Sequence, residues 1–251
     1  MTWEALDAAL EARARTAGKP PRFWWRDDDL EAPSPALTTM LDLRRRLGIP
    51  LAIAIIPATA EAGLAETLGG ETGVTVLQHG YDHSNHAGPG EKKAELVLGR
   101  DGGRDAGSVL AELKQGRARL ETIFGQRFRP VLVPPWNRVD PEFIHHLPAA
   151  GYEALSASRG RKPAAPVQGL PRVDCHIDVI DWRGSRGFIG TEAALAQAAT
   201  ALAEAEGTIG LLTHHLVMDD AAWDFVAVFV ARVKARGGRW LDVAEAIRPE
   251  A

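Results

Sequence analysis

The chain has 251 residues, a formal net charge of −4 and a single cysteine. That length can bury a large core within one domain. The interspersed acids and bases argue against nucleic acid or an anionic membrane as a partner, and the lone Cys175 excludes an intrachain disulfide. No apolar stretch is long enough to cross a bilayer. The charged, amphipathic start MTWEALDAALEARAR does not read as a secretory signal, so a cytoplasmic location is expected.

Apolar positions recur at helical spacing over residues 3–17, and Gly18 is a natural stop. RFWWR at 22–26 reads as a strand running into Asp27, Asp28 and Asp29. Residues 36–47 predict a helix ended by Gly48. The run IPLAIAII at 49–56 is rich in β-branched residues and lacks polar alternation, as expected of a strand covered on both faces. A helix over 60–69 and a strand over 74–77 follow, the strand delivering His79. Residues 82–107 are polar and rich in Gly, His and Lys, which predicts a long functional loop with one helical turn around 92–98. Next come a helix over 108–124, a strand over 131–133 running into Pro134 and Pro135, a helix over 140–150 and a strand over 153–156. A Pro/Gly-rich surface loop spans 160–171, followed by a strand-like run over 173–180. An alanine-rich helix over 191–206, a strand over 208–213, a helix over 220–236 and a last strand over 240–243 complete the chain. No repeat or linker divides it, so one domain spanning 1–251 is expected. Alternating strands and helices predict an α/β fold with a parallel sheet closed, or nearly closed, into a barrel.

Polar residues gather at the strand ends, where such folds keep their chemistry. His79 and His83 stand four apart directly after a strand, and Gly80 frees the backbone to turn, so both rings can grip one ion. His86 is a possible alternate ligand. Two imidazoles and one early carboxylate make the ligand set of a catalytic metal site with an open position for water. An isolated H-x-x-x-H is ordinarily two surface histidines, and three acids in a row are ordinarily a solvated strand end or helix cap. The strand context tips both toward a site. Successive strand side chains diverge, so at most two of the acids face one centre. His214 and His215 follow the apolar run 209–212, and counting by twos from Leu212 selects His214 as a proton donor. Pro134 and Pro135 would present Trp136 as a flat wall for a rigid ring. Asp181, beside Trp182, is a candidate to orient a histidine.

In this order the motifs resemble the polysaccharide deacetylase family, also called carbohydrate esterase family four or the NodB-homology domain. The matching segments are Asp28-Asp29, His79-Gly-Tyr-Asp-His83, Pro134-Pro135-Trp136, Asp181-Trp182 and Leu212-Thr213-His214. The resemblance implies a distorted (β/α) barrel of about seven parallel strands. It also implies one divalent metal, zinc first and cobalt, nickel or manganese as alternatives, held by Asp29, His79 and His83. Asp28 would be the catalytic base and His214 the general acid. Pro135, Trp136, Asp181, Trp182 and Arg26 fall where a substrate would be held. The chain departs from the pattern in two places. Leu30 stands where the family has Gly after its acids, which leaves Asp27-Asp28 open as the pair. Residues 131–133 lack the arginine that opens the third motif, for which Arg26 or Arg138 is a stand-in.

The implied activity is removal of an acyl group, acetyl above all, from an N- or O-acylated carbohydrate, with a small molecule or oligosaccharide as substrate. Two other readings stay open: an amidohydrolase acting on a small linear amide, and a catalytically silent sugar-binding barrel.

Overall fold

A computed structural model describes residues 1–99, 104–158 and 167–248. They form two units of interleaved segments. The first contains Met1–Asp28, Ser34–Ala52 and the chain from Cys175 onward; the second contains Asp29–Pro33 and Ile53–Asp174.

In the first unit, α1 (Trp3–Ala17) begins where the Thr2 hydroxyl accepts the Ala5 N–H and ends at Gly18, whose φ of 65° suits glycine. Strand β1 (Arg22–Leu30) leaves this unit after Asp28. Helix α2 (Pro35–Leu47) is capped by Ser34, opens on a proline and ends at Gly48. Strand β2 (Leu51–Ile55) starts here and finishes in the second unit. After the second unit come β6 (Cys175–Asp178), α5 (Thr191–Glu204), β7 (Ile209–Thr213), α6 (Asp220–Ala235), β8 (Arg239–Trp240) and α7 (Val243–Ala246). In hydrogen-bonding order the strands run β2, β1, β7, β6, with β8 also on β1. The parallel register sets Asp27 opposite Thr213 and Asp178 opposite Leu212. Phe23 packs edge-on against Phe229, which stacks on Phe225, so aromatic area carries much of this core.

The second unit holds the end of β2, α3 (Gly63–Gly69), β3 (Val74–His79), α4 (Ala106–Phe124), β4 (Phe128–Val133) and β5 (Ala154–Leu155). Its strands run β5, β4, β3, β2, and β4 pairs parallel with both β3 and β5. Val109, Leu113, Leu132, Phe143 and Leu155 share its core. Beneath β3, the buried Gln78 amide donates to the Gly80 and Leu113 carbonyls at 2.9 and 3.0 Å. Its own oxygen accepts the Tyr152 hydroxyl at 2.8 Å.

Most predicted elements are present within a few residues, and four differ. Residues 92–98 form no helix: Leu96 instead bridges Val139, and its carbonyl accepts the Asp140 N–H. Only Phe143–His146 of the span 140–150 is helical, as a short 3-10 turn, since Pro141 and Pro148 interrupt a longer helix. The final strand stops at Trp240, and a capping box of Asp242 and Glu245 starts α7 instead. Strand β1 carries on through all three acids to Leu30. Residues 100–103 and 160–166 of the two expected loops lie outside the described residues. Among the described residues no helix is long and apolar enough to cross a membrane.

Tyr152→Phe leaves the buried Gln78 carbonyl without its donor. The expected cost is about 1–2 kcal/mol, read as a melting-temperature drop of about 2–8 °C in thermal denaturation. An unchanged melting temperature would mean this network adds no net stability.

Candidate active site

The second unit brings three predicted residues together. Asp29, on the end of β1, places Oδ1 2.9 Å from His79 Nε2 and 3.4 Å from His83 Nε2. One donor atom from each of the three lies within 4.8 Å of the others. His79 Nδ1 sits 3.0 Å from the Val133 carbonyl, which can only accept, so Nδ1 carries the proton. A neutral His79 therefore points the Nε2 lone pair at a carboxylate oxygen. Two lone pairs at that distance repel unless a proton or a cation stands between them. This donor set fits a divalent cation, which Asp29, His79 and His83 would hold.

The turn that presents His83 is built by a residue the sequence reading missed. Glu95 is fully buried, and its carboxylate accepts the Tyr81 N–H at 2.6 Å and the His83 N–H at 2.9 Å. Burial pushes the Glu95 carboxyl up to about 7, against the pull of those two N–H groups. Gly80 has φ 56°, and a Cβ there would fall 2.7 Å from Pro135 Cδ and also strike Glu95 Oε2. Trp136 lies over His83 with ring centroids 4.3 Å apart, and Lys93 Nζ is 5.9 Å from the Trp136 ring. Five described non-glycine residues have positive φ, and four of them belong to this cluster: Asp29, His83, Trp136 and Asn137. Such strain persists only where the surroundings impose it.

The first unit holds a second constellation. Arg26 and Asp28 are two apart on β1 and so share a face. Arg26 Nη2 donates to Asp28 Oδ2 at 2.9 Å, and Nε lies 2.9 Å from Oδ1. His214 Nε2 is 4.0 Å from Asp28 Oδ2. Asp27 is otherwise engaged: it accepts the Thr213 hydroxyl at 2.6 Å, the His215 N–H at 3.0 Å and His215 Nδ1 at 2.6 Å. The Trp182 ring stands edge-on to His214 at 4.6 Å, and its indole N–H donates to Asp178 at 2.9 Å. Burial raises the Asp178 carboxyl above its ordinary range, with His214 pulling the other way.

Two residues stand elsewhere than expected. Arg26 is completely buried and grips Asp28, so its side chain is unavailable to a ligand. Asp181 does not orient a histidine: its carboxylate accepts the Gly184 and Ser185 N–H groups at 2.9 and 3.2 Å, closing its own loop. Asp178 instead holds the indole of Trp182, the ring that stands against His214. The signal for Asp178 was the alternation Cys175, Ile177, Val179 in, His176, Asp178 out. For Glu95 the available hint was the apolar run Leu96, Val97, Leu98 directly after it. His86 pairs with Arg104 at 3.0 Å and is not in the metal cluster.

No family model matches this sequence, and no curated protein does. Solved structures do match, and they define the class: the fold is that of the family 4 carbohydrate esterases, the expected distorted (β/α) barrel. In particular, a peptidoglycan N-acetylglucosamine deacetylase shares 14% identity at a TM-score of 0.59, covering 91% of this chain and 89% of its own. A family 4 carbohydrate esterase from Streptomyces lividans, solved with acetate, shares 14% identity at 0.59, covering 92% and 97%. A family 4 pseudoenzyme from Bacillus anthracis shares 11% identity at 0.59, covering 91% and 66%. At these identities the likeness establishes the fold alone.

Gly80→Ala is expected to displace the His83 turn, and Glu95→Ala to release it. Each should weaken divalent-metal affinity about 10–100-fold, as loss of a group that orients ligands does. Metal titration of purified variants checks this, and affinity equal to wild type would separate the turn from the ligand set.

Proposed function

We propose that the chain is a metal-dependent hydrolase that removes an acyl group, acetyl above all, from an N- or O-acylated carbohydrate. The observation that carries this is the convergence of Asp29 Oδ1 with the Nε2 atoms of His79 and His83. A divalent cation held there, zinc first for an Asp/His₂ set, supplies Lewis acidity toward an acyl oxygen and toward water. Asp28, one peptide bond from Asp29, takes a proton from the attacking water. Arg26 restrains the Asp28 carboxylate at both oxygens and so supplies what the absent third-motif arginine would. His214, 4.0 Å from Asp28, hands a proton to the departing amine or alcohol. The Trp182 ring, held in turn by Asp178, limits how the His214 ring can turn. Trp136 offers an aromatic face to a sugar ring, and Pro135 stiffens its approach.

A silent barrel is the second reading. Its support is that residues 131–133 carry no arginine, together with a pseudoenzyme among the structures of like fold.

Purified protein is expected to hold about one equivalent of divalent metal by elemental analysis and to release acetate from an N-acetylated sugar or a simple acetyl ester. His79→Ala and Asp29→Ala should lose both metal and activity. Full activity after chelation would overturn the reading. Asp28→Asn is expected to keep the metal while kcat falls about 10²–10⁴-fold, the range of a lost general base. A variant with unchanged kcat would remove Asp28 from the reaction.

A further inference from the structure

Within the second unit lies a groove of about 600 Å³, a volume suited to a small ligand such as a sugar. It is lined by segments that continue from the candidate centre: His86 lies three residues after His83, and Asn137 and Arg138 follow Trp136. Two arginines line it. Arg172 is paired with Asp174 at 2.9 Å. Arg138 has no carboxylate partner among the described residues; it donates one N–H to the Lys93 carbonyl at 2.6 Å, and its Nε is buried without an acceptor. The acids on the groove wall are turned onto backbone. Asp140 accepts the Glu142 N–H at 2.9 Å and Glu91 the Gly88 N–H at 3.0 Å. Arg138 is thus partly buried, with its Nε shielded from water and no counter-charge among the described residues, so its lost hydration is offset only in part unless a ligand completes it. Burial alone lowers the Arg138 pKa, with no carboxylate opposing it.

We infer that Arg138 is an anion-recognition point, and that the groove takes a sugar bearing a carboxylate or phosphate group. A planar guanidinium with free N–H groups suits either oxyanion. That this sugar is the substrate rests on the function proposed above; the anion subsite itself does not.

The test is calorimetric titration of the full chain with glucose, glucuronic acid and glucose 6-phosphate at low salt. None of these has an acyl group to lose, so binding is read whether or not the chain is a hydrolase. At least one anion should bind about tenfold or more tightly than glucose, the scale of one charge-assisted pair. Which anion gains identifies carboxylate or phosphate as the partner. Arg138→Gln should bring that anion down to the glucose level, while Arg138→Lys keeps part of the advantage. Ser158→Glu, which adds a carboxylate to the groove wall, should also abolish it and serves if Arg138→Gln does not fold. Equal binding of all three sugars, no measurable binding of either anion, or an advantage that survives Arg138→Gln would each overturn the inference.

Discussion

Three consecutive carboxylates lie near the end of a buried strand, and the local structure is organised around making that tolerable. Asp27 and Asp28 are almost wholly inaccessible, where an unpaired charge would cost several kcal/mol. Each acid answers to a different partner. Asp27 is saturated by Thr213 and His215, Asp28 is clasped by Arg26, and Asp29 meets His79 and His83. Sharing one partner among them would leave mutual repulsion unrelieved. Distributing them gives three neighbouring groups three environments, and so three uses: Asp27 anchors the segment that carries His214, Asp28 is held in a restrained position, and Asp29 faces the His79 and His83 rings.

The candidate centre is held by strain as well as by charge. Asp29, His83, Trp136 and Asn137 all adopt positive φ, a conformation that costs non-glycine residues free energy. The opposing force is visible in the second unit. Glu95 ties two backbone N–H groups of the ligand turn, Gly80 allows Glu95 and Pro135 to close against it, and the Trp136 ring covers His83. A buried carboxyl whose pKa is raised to about 7 and which spends both oxygens on one turn is a costly way to shape a loop. That cost is consistent with a turn whose geometry has a function.

Several site residues were legible because their chemistry needs particular types at particular spacing. The four-residue step from His79 to His83, the glycine directly after the first, and the last of the three acids, Asp29, come together in the structure as one cluster. Glu95 and Asp178 were not legible. A single acid in a polar loop looks the same in sequence whether it is solvated or buried, and only the packing of Leu96 against Val139 draws Glu95 inward. Asp181 misled for the complementary reason. An aspartate before Trp-Arg-Gly-Ser is equally able to close its own loop, and local N–H groups are entropically cheaper partners than a distant imidazole.

By itself, then, the sequence determined the order of strands and helices, their caps and stops, and the residue types able to ligate a cation, since these depend on periodicity and on chemistry carried within a few residues. Tertiary structure decided the partnerships. It gave Arg26 to Asp28, His215 to Asp27 and Glu95 to the His83 turn, and it left Arg138 lining a groove with no carboxylate partner among the described residues. Those choices depend on which groups lose their water together, and that is set by contacts between segments far apart in the chain, which no local pattern encodes.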